Sequence, residues 1–321
     1  MKHIMQQLQE AAIANGPLCV GLDTDPSYLP ESVMKAFGSP TEAVLAYNKE
    51  IIKRVADDKS ACCFKIQIAY YEAMGIAGLR AYIETIKTVR EAGFVAISDI
   101  KRGDIADTAK AYARAHFGTG ADFETDIITV NPYMGFDTLR PFTEYCRPGA
   151  SSPRSDLNGV GGKGIFVLLR TSNPGMADIE QQELKSGGRV LDKTGAELEK
   201  ISEEFKSLYP EQTCSPVGAV VGCTEESDAR ALRDAHPDIF FLIPGYGAQG
   251  GAARIAATLL DKAGGTVNSS RGILCAWKKD ENLAESREKG TLCLKDIADA
   301  AGKACRDSTA DLLAAKKELG Y

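Results

Sequence analysis

The sequence predicts an α/β fold, a single (β/α)8 barrel, on three observations. Eight short, nearly continuous apolar runs are spaced along the 321 residues. Segments with apolar residues at helical spacing separate them. Polar and charged residues gather at the C-terminal ends of the runs, where such a barrel carries its chemistry. The expected strands are 18–23, 61–67, 94–99, 126–131, 164–170, 216–222, 239–243 and 264–269. Apolar strands of this kind suit a parallel sheet covered on both faces. Eight β-then-α units favour a closed barrel over a doubly wound open sheet, the competing architecture. Residues 1–321 are expected to form one domain, since barrels of this length commonly do.

The N-terminal MKHIMQQLQEAAIANG has helical spacing and stops at Gly16. It lacks the apolar core of a secretion signal, so a cytoplasmic chain is expected. Ile83, Ile86 and Val89 lie on one face of a helix that precedes Gly93. The Gly-, Ser- and Pro-rich segment 148–163 reads as an exposed loop. Residues 173–190 form an extended connection after the fifth strand, a candidate lid. The tail after 290 reads as a helical extension with Leu294, Ile297, Ala298 and Ala301 on one face.

Composition excludes several function classes. Hydrophobic content of 44% and charged content of 26% are ordinary for a globular chain. A formal net charge of −6 argues against nucleic acid and anionic membranes as partners. No apolar stretch approaches the roughly 18 residues of a membrane span. The nine cysteines contain no C-x-x-C pair and read as buried, reduced thiols. The three histidines, His3, His116 and His236, are far apart in sequence, which disfavours a histidine-based zinc site.

Two signals carry chemistry. The first is Ser98-Asp99-Ile100-Lys101-Arg102-Gly103-Asp104-Ile105. Residues i and i+2 of an extended segment point the same way, so Asp99 and Lys101 can share one side of the strand end. Lys65, ending the neighbouring strand with Gln67, can join them. The competing reading is a salt-bridge network that merely closes the barrel top. The second signal is the glycine-rich PGYGAQGG after strand seven, followed by NSSRG after strand eight. Glycines let backbone N–H groups turn inward and cradle an anion. Arg271 can add a bidentate contact to phosphate oxygens. The competing reading there is a simple tight turn.

FKIQIAYYE, SDIKRGDIADT, TVNPYMG, TSNPG, PGYGAQGG and NSSRG occur in the order seen in orotidine 5′-monophosphate decarboxylases. The chain resembles the longer subgroup of that family, with extra loops and a C-terminal extension, over about residues 18 to 275. The resemblance implies decarboxylation of orotidine 5′-monophosphate to uridine 5′-monophosphate in pyrimidine biosynthesis. It implies a catalytic set of Lys65, Asp99, Lys101 and Asp104. Lys101 would donate a proton to C6 of the pyrimidine. Asp23 and Lys65 would contact ribose hydroxyls, with Lys65 also paired to Asp99. Ser172 would hydrogen-bond the pyrimidine amide edge. Gln249 and Arg271 would hold the phosphate, on a substrate-binding surface that includes Pro244 and Gly250. Asp104 and Thr108 would reach into a partner subunit's site, with Ile105 lining it, in a homodimer with shared active sites. No cofactor and no metal are expected, because a fixed ammonium beside C6 can stabilise the developing carbanion electrostatically. Two rivals remain open: a magnesium-dependent decarboxylase of a sugar-acid phosphate, and a non-catalytic nucleotide-phosphate-binding barrel.

Overall fold

The structure is a computed structural model that describes residues 2–150, 161–246 and 252–321. Eight parallel strands close into a barrel in sequence order. They are β1 (Leu18–Gly21), β2 (Cys63–Gln67), β3 (Val95–Arg102), β4 (Ile127–Val130), β5 (Gly164–Arg170), β6 (Val217–Val221), β7 (Phe241–Ile243) and β8 (Gly265–Ser269). β1 pairs with both β2 and β8, which closes the sheet on itself and rules out the open-sheet alternative. Each expected strand is present, several trimmed by one or two residues. β3 is the exception, since it runs three residues past its expected end.

Strand alternation sorts the side chains into two layers. Leu18, Val20, Phe64, Ile66, Ala96, Ile128 and Val130 join the layer between sheet and helices. Cys19, Cys63, Val95, Ile97, Ile127, Phe166 and Leu242 fill the barrel interior. The helix Ile4–Asn15 plugs the bottom of that interior with Ile4, Met5 and Leu8. His3 starts this helix, where its Nδ1 accepts the Gln6 N–H at 3.1 Å and its Nε2 faces the Cys214 carbonyl at 2.9 Å. Burial holds the His3 imidazole down at about 3, so it stays neutral.

The other two histidines are also built into the packing. His116 tilts against Phe123 at 5.6 Å, and burial pushes it down to about 4 with the nearby Arg102 charge adding to the effect. His236 Nδ1 lies 3.0 Å from Glu199. The tail forms the helix Leu294–Glu318, which buries Ile297, Ala298 and Ala301 as expected. All nine cysteines are free thiols; six are buried, but Cys293 is exposed. Residues 173–190 hold a short 3-10 turn at Pro174–Asp178 and an antiparallel bridge between Glu183 and Arg189. Within the loop expected at 148–163, residues 151–160 lie outside the described residues. No helix among the described residues is long and apolar enough to cross a membrane.

Candidate active site

The alternation that turns Cys63 into the barrel also turns in Lys65, and the one that turns in Ile97 turns in Asp99. Near the bottom these inward positions are apolar, and at the C-terminal mouth they become ionic. Lys65 Nζ donates to Asp23 Oδ1 at 2.9 Å and to Asp99 Oδ2 at 3.0 Å. Lys101 Nζ donates to Asp99 Oδ1 at 2.6 Å. Gln67 Nε2 adds a bond to Asp99 Oδ2 at 3.0 Å, and the Thr129 hydroxyl adds one to Oδ1 at 2.8 Å. The Asp99 carboxylate is thus fully engaged by two ammonium groups, an amide and a hydroxyl.

Burial alone would raise the Asp99 carboxyl. The positive charges of Lys65 and Lys101, with the hydrogen bonds from Lys101 and Thr129, overturn that and hold it well below the usual carboxylate range. Burial alone would likewise lower Lys65, but Asp99 and Asp23 hold its ammonium firmly protonated. The network continues along the rim. Ser270 donates to Asp23 Oδ2 at 2.7 Å and accepts from Asn268 Nδ2 at 3.1 Å. Gly21 makes room for this corner, since a Cβ there would stand 2.1 Å from Ser270 Oγ.

Lys101 reaches Asp99 differently from the simple i, i+2 alternation expected. Its backbone is left-handed, with φ +46°. That conformation is uncommon for a non-glycine residue and costs roughly 1 kcal/mol or more. Lys101 sits in an irregularity of the β3–β4 pairing, and its side chain is 45% exposed while Asp99 is 8% exposed. The buried carboxylate therefore holds an ammonium that still faces the mouth.

These residues border a cavity of about 240 Å³. Lys65, Asp99, Lys101 and the Thr129 hydroxyl form its polar side, and Leu168, Val220 and Leu242 an apolar side. Ser172, Pro244 and Asn268 also line it. Among charged groups beside an apolar wall, electrostatic interactions are screened less than in water. The Thr171 N–H and hydroxyl each reach the Glu180 carboxylate at 2.8 Å, which ties the start of the 173–190 connection beside Ser172.

Not every expected residue converges here. Arg271 begins the short helix Arg271–Leu274 after β8; it is exposed and makes no ion pair among the described residues. Asp104 Oδ1 accepts the N–H of its neighbour Ile105 at 2.8 Å and meets no cation among the described residues. Ile105 is 55% exposed, and Thr108 is exposed on the helix Ala106–Phe117. Gln249 and Gly250 lie outside the described residues. Thr129 was missed by sequence reasoning. The available signal was a hydroxyl two residues after inward-facing Ile127, on the strand beside Asp99. No group of three or more His, Cys, Asp or Glu side chains among the described residues is arranged to hold a metal ion.

The model of the Orotidine 5′-phosphate decarboxylase / HUMPS family matches residues 16–285. The chain belongs to this family. Orotidine 5′-phosphate decarboxylase of Clostridium botulinum (strain Langeland) is 45% identical over 289 residues, 89% of this chain and 94% of the relative. That of Clostridium perfringens is 45% identical over 297 residues, 91% and 97% of the two chains. Among solved structures, the Leishmania donovani OMP decarboxylase matches with a TM-score of 0.65 at 26% identity, covering 96% of this chain and 98% of that one. The family description spans more than one enzyme, but these relatives carry the decarboxylase name across nearly the whole chain.

Proposed function

We propose that this decarboxylase-family site removes CO2 from C6 of orotidine 5′-monophosphate to give uridine 5′-monophosphate, as a carboxy-lyase of pyrimidine biosynthesis. The observation that carries the reading is the buried Asp99 carboxylate shared by two ammonium groups that line the cavity, Lys65 buried and Lys101 exposed at the mouth. Breaking the C6–carboxylate bond leaves its electron pair on C6. The Lys101 ammonium, fixed by Asp99, stabilises that pair without reorganising. One of its protons then passes to C6, and the lysine is reprotonated from solvent. Ser172, also in the lining, reads the pyrimidine amide edge. Asp23 and Lys65 take the ribose hydroxyls. The phosphate falls to Arg271 and to the Gln249–Gly250 segment beyond Pro244. Its binding energy supports the chemistry by closing loops over the base.

A direct assay tests the reading. Loss of orotate-type absorbance should be seen with orotidine 5′-monophosphate, and exhaustive EDTA dialysis should leave the rate unchanged. Full loss on dialysis with recovery in magnesium would instead favour the sugar-acid phosphate rival. No turnover at all would favour the non-catalytic barrel.

The same reading makes the protein a cytoplasmic homodimer, each chain one domain, with Asp104 and Thr108 serving the partner's site. It is supported by an Asp104 carboxylate that meets no cation among the described residues of its own chain. It is also supported by exposed apolar side chains on adjacent loops, Ile105 after β3 and Tyr133 and Met134 after β4. Complementation tests it, using one chain carrying Lys101→Ala and another carrying Asp104→Ala. In a two-fold mixed dimer, one site receives both lesions and the other neither. Random reassembly of equal amounts should therefore restore about a quarter of wild-type activity. No recovery, with mixed dimers confirmed by mass, would mean that Asp104 serves its own chain.

A further inference from the structure

β3 and β4 stay in register up to Ser98 opposite Ile128, and register resumes at Arg102 opposite Val130. Asp99, Ile100 and Lys101 therefore face the single residue Thr129. Extra residues in one strand leave backbone N–H groups without ladder partners. Buried without a partner, such groups are costly. The Thr129 hydroxyl takes two of them, accepting from the Ile100 N–H at 3.0 Å and from the Lys101 N–H at 2.9 Å. Its own proton goes to Asp99 Oδ1 at 2.8 Å. One donor and two acceptor sites are the full capacity of a hydroxyl. Thr129 is 1% exposed, so solvent has little access to replace it.

Beyond the bulge the ladder is re-anchored. The Asn131 N–H donates to the Arg102 carbonyl at 2.8 Å. Gly103 passes so near the Asn131 carbonyl that a Cβ would stand 2.7 Å from it. The left-handed Lys101 is therefore held between two fixed points, with Thr129 bonded directly to its backbone.

We propose that Thr129 is a positioning residue for the decarboxylation. Its hydroxyl fixes the bulge that places Lys101 in the left-handed region, and so aims the ammonium across Asp99 at the cavity. The inference rests on the reading of Lys101 as proton donor. One oxygen links the backbone of the donor to the carboxylate that holds its side chain, so losing it loosens both ends of Lys101 together.

Valine has nearly the shape of threonine and lacks all three bonds, while serine keeps them. Thr129→Val should lower kcat by on the order of a hundredfold, the loss that about 1 Å of misplacement produces. Affinity for uridine 5′-monophosphate should change by less than about threefold, because the phosphate and ribose contacts lie on other strands. Thr129→Ser should restore most of kcat. In a crystal structure of Thr129→Val, Lys101 should leave the left-handed region, or its Nζ should lie beyond hydrogen-bond reach of Asp99. If Lys101 keeps its place in that structure, or if serine fails to rescue kcat, the proposal is overturned. Lys101→Ala assayed in parallel separates the two claims. A displaced Lys101 in Thr129→Val alongside an active Lys101→Ala would sustain the positioning role and remove the proton-donor reading instead.

Discussion

Lys101→Ala should lower kcat by on the order of 10⁴-fold while uridine 5′-monophosphate still binds. The magnitude follows from two roles in one group. In the proposed mechanism the ammonium stabilises the carbanion as it forms and supplies the proton that completes the product. Both interactions belong to the transition state or follow it, so their loss falls on kcat rather than on ground-state binding. The rest of the site should survive the change. Asp99 would still accept from Lys65, Gln67 and Thr129, so the buried carboxylate keeps its charge compensation. Stopped-assay turnover paired with calorimetric titration of the product checks both halves. Turnover within tenfold of the wild type would remove Lys101 from the proton-transfer step.

Arg271→Ala should cost about 3 kcal/mol in kcat/KM, roughly a hundredfold, through loss of a charge-assisted contact to the phosphate. Arg271 makes no ion pair among the described residues, so none of those needs it for charge balance. Its neighbour Ser270 is bonded to Asp23, which sets the arginine beside the Asp23–Lys65 end of the network. The control is the dephosphorylated nucleoside, which has no phosphate to lose. Its slow turnover should barely respond to the substitution. Equal losses for nucleotide and nucleoside would show that Arg271 supports the structure of the β8 end instead.

How much of this was legible in the sequence differs from element to element. The barrel was legible because each strand is a short apolar run and most of the runs end in polar residues. Lys65 and Asp99 were legible because strand parity carries a buried pattern upward: if Cys63 and Ile97 face inward, so do the residues two further on. The tail helix was legible from the spacing of Ile297, Ala298 and Ala301. Thr129 was hidden because threonine is an ordinary strand residue and nothing local marks it as the partner of a bulge. Ser270 and Asn268 stood in a noticed motif, but the bond from Ser270 to Asp23 joins positions at opposite ends of the chain. Lys101 was paired with Asp99 for an incomplete reason. Strict alternation assumes a regular strand, and the left-handed backbone at Lys101 departs from one.

The sequence by itself determined the eight β-then-α units and the charged residues at the strand ends, and the pairing of β1 with both β2 and β8 closed the barrel. Hydrophobic periodicity and strand alternation act over a few neighbouring residues, so they can be read from one chain segment at a time. Tertiary structure decided which charges pair, which stay open to the cavity and how Lys101 is aimed. Those depend on the relative register of β2, β3 and β4, and register is set by packing between strands that are about thirty residues apart in sequence. A hydroxyl on β4 can meet two N–H groups and a carboxylate on β3 only once the barrel has closed.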